Sequence, residues 1–237
     1  MKPHPRQPTC SNHATNACTR ETRAKHRHCR AFTIIELLVV LVIVIILLGM
    51  VIPMPSGHSY EKARRIKCVN NLKNVGLAFR IYANDSGGRF PWQIPGEKAE
   101  IQINYSTDPT TYIRAVTNEL SIPKIVNCPS DKREVATNWS QFSRANMSYF
   151  ITADASQTFP QSFLAGDRNI TNENGQLLPG LHDLSTNGPA GWDETIHKNQ
   201  GNACMSDGSV QQLSGARLRE QLRNTGQSTK YIKLSVP

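Results

Sequence analysis

The stretch RAFTIIELLVVLVIVIILLGMVIP, Arg30 to Pro53, decides how this chain is organised. Between Phe32 and Met54 it carries one charge, Glu36, close to its start. At 1.5 Å rise per residue, a helix of about 23 residues is roughly 30–35 Å long, the hydrocarbon thickness of a bilayer. A helix buried in a soluble core usually keeps a polar stripe, and none remains here after Glu36. The pattern predicts a transmembrane helix over residues 32–55.

The charge around this stretch is uneven. Residues 1–30 hold Lys2, Arg6, Arg20, Arg23, Lys25, Arg27 and Arg30 against Glu21, so six of the nine net positive charges lie there. Lys and Arg favour the cytoplasmic side, so the basic leader predicts a cytoplasmic amino terminus and a head outside the inner membrane. The rest of the chain has no basic stripe interleaved with aromatics. Its one basic run is Lys62, Arg64, Arg65 and Lys67, and no nucleic-acid partner is expected. A secretory signal peptide fits poorly. Its apolar core is usually shorter and acid-free, and the exit GMVIPMPSGHS offers no small-x-small cleavage site.

These residues resemble the class III, prepilin-type signal of type IV pilins and type II secretion pseudopilins. The family pattern is a small residue, usually Gly, followed by Phe-Thr-Leu-Ile-Glu-Leu-Leu-Val-Val. Here Ala31 stands where Gly is usual, and Phe32, Thr33, Ile34, Ile35, Glu36, Leu37, Leu38, Val39 and Val40 follow. The resemblance implies that prepilin peptidase cuts between Ala31 and Phe32 on the cytoplasmic face and methylates the Phe32 amine. It implies residues 1–31 as a cleaved leader, and a single-pass inner-membrane protein whose head lies in the periplasm or on the cell surface. Its partners would be other pilin-like subunits and an inner-membrane assembly platform.

Glu36 gains a role from this reading. Ionisable groups at membrane depth are costly and usually functional. In the family, Glu36 of an incoming subunit would pair with the Phe32 amine of a neighbour. Two costly charges then offset each other and set the axial register. Gly49, Pro53 and Pro55 weaken the helix near its end, as helix breakers do at this depth in the family.

Beyond the apolar stretch, Ile66, Val69, Leu72, Val75, Leu77, Phe79 and Tyr82 mostly recur every three or four residues. This predicts an amphipathic continuation of the helix over 56–85, stopped by NDSGG. Its Leu72, Val75 and Phe79 side should pack on an antiparallel sheet. Residues 86–237 read as a β-rich head with short strands at KIVNCPSD, MSYFITA, SFLAGDRNIT and GNACMSDGSVQQL. Asp207 and Gly208 form a hairpin signal in which both residues supply positive φ. Polar loops are expected near 157–160 and 172–191. The fold class is therefore α+β and pilin-like.

The blocks CVNNLKNVGLAFRIYANDSGGRFP, CPSD, SYF and HKNQGNACMSDGSV resemble pseudopilin-like proteins of planctomycete and verrucomicrobial lineages. Their heads carry a His, nine residues, then Asp-Gly, which here are His197, Asp207 and Gly208.

No catalytic constellation emerges. Ser206 and Asp207 are adjacent on a turn and cannot easily serve His197 as a triad, and no G-x-S-x-G elbow exists. His182, Asp183, Asp193, Glu194 and His197 are oxygen- and nitrogen-rich, and pseudopilin heads often bind calcium, but no recognised loop spacing appears. Calcium is thus possible and no cofactor or metal is required. In the leader, Cys10, His13, Cys18, His26, His28 and Cys29 lack a paired zinc spacing.

Cys68, Cys128 and Cys204 remain after cleavage. Outside the inner membrane they could form one disulfide, with Cys68–Cys128 tying helix to head, or stay three buried thiols. Two functions fit: a structural subunit of a type IV pilus-like or type II secretion pseudopilus filament, not an enzyme, or a membrane-tethered module that binds a ligand. Trp92, Trp139 and Trp192 could line a ligand face, though scattered Trp are more often core.

Overall fold

A computed structural model describes residues 32–51, 57–94, 106–227 and 229–237. The chain divides into two compact units, Met1–Met54 and Pro55–Pro237. The leader and residues 52–56, with Pro53 and Pro55, lie outside the described residues, and so does the expected continuity of the two long helices.

In the first unit, α1 (Ile34–Val51) is an 18-residue helix. Its large apolar side chains from Ile34 to Leu48 are 45–86% exposed, with no polar face to separate them. The described helix covers Ile34–Val51 of the expected 32–55 span, and residues 52–55 lie outside the described residues. Eighteen residues reach about 27 Å against about 30 Å of hydrocarbon. Among the described residues, no helix is long and apolar enough to cross a membrane.

The second unit is α+β. It opens with α2 (Gly57–Asp85) and continues through short helices at Pro91–Gln93, α3 (Pro109–Ala115), Pro123–Val126 and Arg144–Asn146. Six strands form one sheet: β1 (Tyr149–Thr152), β2 (Phe163–Asp167), β5 (Gly180–Ser185), β7 (Gln200–Met205), β8 (Val210–Ser214) and β9 (Tyr231–Val236). Their order is β5-β9-β1-β2-β7-β8, and every pairing is antiparallel. A small sheet joins β4 (Gly175–Gln176), β3 (Ile170–Asn172) and β6 (Gly191–Trp192). The last helix, α4, is Gly215–Arg223.

Alternation along the central strands builds two cores. Tyr149, Ile151, Leu164 and Cys204 face α2, whereas Phe150, Phe163, Ala203 and Met205 face α4 and the small sheet. Both faces are covered, so β1 and β2 are buried at every position and their apolar runs are nearly continuous.

α2 packs on β7, β2 and β8. Its buried stripe is Cys68, Leu72, Val75, Ala78, Phe79 and Ala83, which recurs every three or four residues with Ala78 and Phe79 side by side. Each fully buried Leu, Val or Phe contributes roughly 1.5–3 kcal/mol. Ile66 and Leu77 are more than half exposed, contrary to the expected periodicity. Each lies two residues from a stripe position, about 200° around the helix, and so points away from the sheet.

Several local expectations are corrected. KIVNCPSD is not a strand: Pro123 opens a 3-10 turn over Pro123–Val126, the first-turn position that suits its fixed φ. The polar segment 172–191 is not all loop. β5 pairs with β9 from Gly180↔Val236 to Ser185↔Tyr231. As an edge strand, β5 needs few apolar residues to hold its place. At the 205–209 turn Gly208 has φ of +84°, while Asp207 does not take positive φ. Gly208 N donates to Met205 O at 2.9 Å and Met205 N to Ser209 O at 2.8 Å, which makes a three-residue loop with glycine in the left-handed position. Trp92 and Trp192 are core residues, and Trp139 packs on the core's edge.

Candidate functional site

Two places carry side chains that packing alone does not explain. The first is the start of α1. The Thr33 backbone N and its Oγ1 both donate to Glu36 Oε2 at 3.0 Å, and Glu36 N donates to Thr33 Oγ1 at 3.3 Å. This reciprocal arrangement is a capping box, which satisfies two otherwise orphaned amides at the helix start. Neither carboxylate bond uses Oε1. Phe32 precedes the cap and is 75% exposed. Ala31 lies outside the described residues.

The second place is a buried polar cluster beneath α2. Cys68 on α2 and Cys128 after the Pro123–Val126 turn form a disulfide, and Cys204 is a free, buried thiol. His197 Nε2 lies 3.4 Å from Cys128 Sγ and 3.6 Å from Asp167 Oδ2. The side chains of His197 and Asp167 are at most 2% exposed. Asp167 Oδ2 accepts from Asn202 N at 2.6 Å and Asn202 Nδ2 at 2.9 Å. Among the described residues nothing hydrogen-bonds Asp167 Oδ1.

The loop that delivers His197 is strained. His197, Lys198 and Asn199 have φ of 56°, 53° and 61°, three consecutive non-glycine residues in the left-handed region. That region costs roughly 1–2 kcal/mol per residue, so neighbours must hold it. Asn169 does: its Nδ2 donates to Asp193 O at 3.0 Å and Ile196 O at 2.9 Å. Next to it, Arg168 forms a two-pronged pair with Asp131 at 2.7 and 2.8 Å, which anchors the turn carrying Cys128. A surface cleft of about 230 Å³, lined by Glu61, Lys62, Arg65, His197, Lys198 and Gln200, reaches the cluster. Arg65 donates to Gln200 across it.

Burial sets the protonation here. It raises the Asp167 carboxyl to about 7, against the stabilising pull of Asn202 and Arg65. Burial and the nearby Arg65 cation lower His197 to about 4, so the imidazole is neutral at ordinary pH. Burial also pushes the Cys204 thiol up to about 12.

The structure separates His197 from Asp207 and Gly208. His197 sits beside Arg65 near one end of α2, and Arg80 Nη1 donates to Asp207 O at 2.6 Å near the other. Fifteen α2 residues span about 22 Å, and the six residues of β7 about 20 Å. The nine-residue spacing is therefore the length of one strand lying along α2. Ser206 is buried with its Oγ 2.7 Å from Ser162 Oγ and does not meet His197. The other polar candidates are also apart: Asp183 pairs with Lys233 at 2.9 Å, and Asp193 caps Thr195 at 2.8 Å. Among the described residues, Cys68, Cys128 and His197 are the group of three metal-ligating side chains whose donor atoms lie within 4.8 Å of one another.

Sequence reasoning missed Asp167, Arg168 and Asn169. The signal was present, because the apolar run 163–166 of β2 gives way to three polar residues in a row, Asp167, Arg168 and Asn169. It also missed Thr33 as a cap, although Thr-x-x-Glu before an apolar run is a helix-start signature.

In comparisons with known proteins, the family described as "Prokaryotic N-terminal methylation motif" matches residues 26–52. That motif fits precursors of the type IV pilin and pseudopilin type, and it implies a prepilin-type signal. No curated protein and no solved structure matches the chain.

Proposed function

We propose that this protein is a structural subunit of a type IV pilus-like or type II secretion pseudopilus filament. The observation that carries this reading is the methylation-motif match over residues 26–52, which brackets Ala31, Phe32 and Glu36. In this account prepilin peptidase cuts after Ala31, the Phe32 amine is methylated, and α1 inserts in the inner membrane with the head outside. The exposed apolar surface of α1 supports it, because such a helix needs lipid or other apolar helices around it. In the filament, Glu36 Oε1 meets the Phe32 amine of a neighbouring subunit while Oε2 keeps the Thr33 cap.

The two roles of Glu36 separate by substitution. Glu36→Gln keeps a side chain that can cap but removes the charge. Losing one partner of a buried charge pair costs about 3–5 kcal/mol, enough to lower a filament equilibrium a hundredfold or more. The variant is co-expressed with the assembly machinery, and sheared surface filaments are compared with the membrane pool. Loss of filaments with normal membrane levels is expected. Wild-type filament yield from Glu36→Gln would reduce Glu36 to a helix cap and favour a membrane-tethered binding module.

A further inference from the structure

We propose that the cleft beside the first turns of α2 binds the phosphate headgroup of an anionic phospholipid, through Lys62, Arg65 and Lys198. The basic run Lys62, Arg64, Arg65 and Lys67 lies on α2, and the left-handed loop adds Lys198 to it across the cleft of about 230 Å³. Among the described residues no ion pair joins these three cations to a carboxylate. Glu61, the carboxylate in the cleft wall, pairs with Arg64 at 3.8 Å. Arg65 also has an unmet donor. Its Nε is buried with no hydrogen-bond partner among the described residues, and burial lowers the pKa of its guanidinium. A desolvated cation with a spare N–H is stabilised by an oxyanion, and a guanidinium meets phosphate through two parallel bonds. Turning off Gln200 frees the Arg65 fork for this contact.

The neighbouring side chains select a lipid over a soluble anion. Tyr60 is 63% exposed and Ile66 is 56% exposed. Ile66 is the i+4 neighbour of Lys62 on the helix surface, and the Arg64 guanidinium lies 5.0 Å from the centre of the Tyr60 ring. Aromatic, apolar and basic side chains on one short segment suit a lipid interface, where Tyr sits at headgroup depth and Lys and Arg meet phosphates. Free phosphate or an acidic peptide gives Tyr60 and Ile66 nothing to contact. In the chain, residues 52–56 alone separate α1 from α2. Five extended residues reach at most about 18 Å, so these turns start close to the surface of any membrane that α1 enters. The left-handed loop has a purpose here, because its conformation carries Lys198 to the cleft and Asn169 fixes it from beneath. The inference rests on the reading that α1 inserts in a membrane with the head outside, and carbonate extraction of the full chain tests that reading by itself.

The test uses the full chain in nonionic detergent and therefore needs no insertion into a bilayer. The Arg65 Nε–H resonance, assigned by its loss in Arg65→Lys, is followed by NMR. The titrants are dihexanoyl phosphatidylglycerol, dihexanoyl phosphatidylcholine, inorganic phosphate and poly-glutamate. The expected result is a saturable one-site shift with the anionic lipid and none with the zwitterionic one. Inorganic phosphate and poly-glutamate should bind at least about tenfold more weakly, because neither meets the apolar side chains as well as the cations. Each basic residue contributes about fivefold at an anionic lipid surface. Lys62→Gln with Lys198→Asn should then weaken the lipid about 25-fold, and asparagine tolerates the left-handed φ at position 198. Both substituted side chains are exposed, and the wild-type titration stands without them. No saturable shift with phosphatidylglycerol, an equal shift with phosphatidylcholine, equal affinity for inorganic phosphate or poly-glutamate, or unchanged affinity in the folded double variant would overturn the proposal.

Discussion

Gly76 of α2 lies directly against Cys204 of β7. A Cβ added at position 76 would come closer than 3.0 Å to the Cys204 sulfur, a separation that real Cβ atoms essentially never show. The absence of a side chain at this one helix position lets α2 lie close on the sheet. Gly76→Ala should therefore destabilise the head by about 1–3 kcal/mol, although alanine is worth up to about 1 kcal/mol in a helix. Cys204→Ala removes the clashing atom, so Gly76→Ala should be neutral or stabilising in that background. Urea melts of the four proteins in this cycle measure the coupling. Equal cost of Gly76→Ala in both backgrounds would refute the contact.

The same burial governs the Cys204 thiol, which is pushed up to about 12. It should resist iodoacetamide at pH 8 in the native protein and react fully in denaturant. Peptide mapping after alkylation reads this directly. Native labelling at Cys204 would show that the α2–β7 interface opens.

Cys68–Cys128 closes a loop with a sequence separation of 60. Replacing both cysteines by alanine should cost about 4 kcal/mol on chain-entropy grounds. Urea midpoints of the double variant and the oxidised protein measure the cost. A loss below about 1 kcal/mol would mean that the unfolded chain gains little freedom when the bridge is removed.

In the oxidised protein, Asp167 and His197 oppose each other across mildly acidic pH. Asp167 is raised to about 7 from 3.8, so its contribution is fully present below the lower value and is lost as pH rises through the upper. His197 is lowered to about 4 from 6.5, so its contribution is present above 6.5 and is lost as pH falls through 4. Between the two the effects largely cancel, and stability should be nearly flat from pH ~4.5 to ~6.5. Asp167→Asn removes one side of the balance. Its stability should rise with pH over that window by on the order of 2 kcal/mol. A flat profile in Asp167→Asn would contradict the neutral, buried state of His197.

How much was readable in the sequence differs by element. The helix stripe of Leu72, Val75 and Phe79 was legible because burial on one face imposes a 3.6-residue period. Ile66 and Leu77 were misread because an apolar residue on a solvated face carries no mark of its orientation. The β7–β8 hairpin announced itself through Asp207-Gly208, though not its turn type, which depends on where Met205 and Ser209 pair. β5 and β9 were invisible as partners. Neither has a local turn joining them, and β5 alternates weakly because it lies at the sheet's edge. Asn202 bonds Asp167 across 35 residues, and Asn169 reaches Ile196 O across 27; single-sequence periodicity does not report such contacts. His197 stood out as part of a spacing with Asp207, yet that spacing measures a strand and not a shared site.

The account's central claim is that this chain is a processed pilin-like subunit, and the mass and first residue of the protein recovered from membranes test it most directly. The chain is expressed with its prepilin peptidase, extracted, and analysed by intact mass and amino-terminal sequencing. The account predicts a mature chain that begins at Phe32, carries one methyl group on its amine, and is lighter than the precursor by about 3.4 kDa, at about 110 Da for each leader residue. A chain that keeps Met1, or one cut near Ser56, would contradict it.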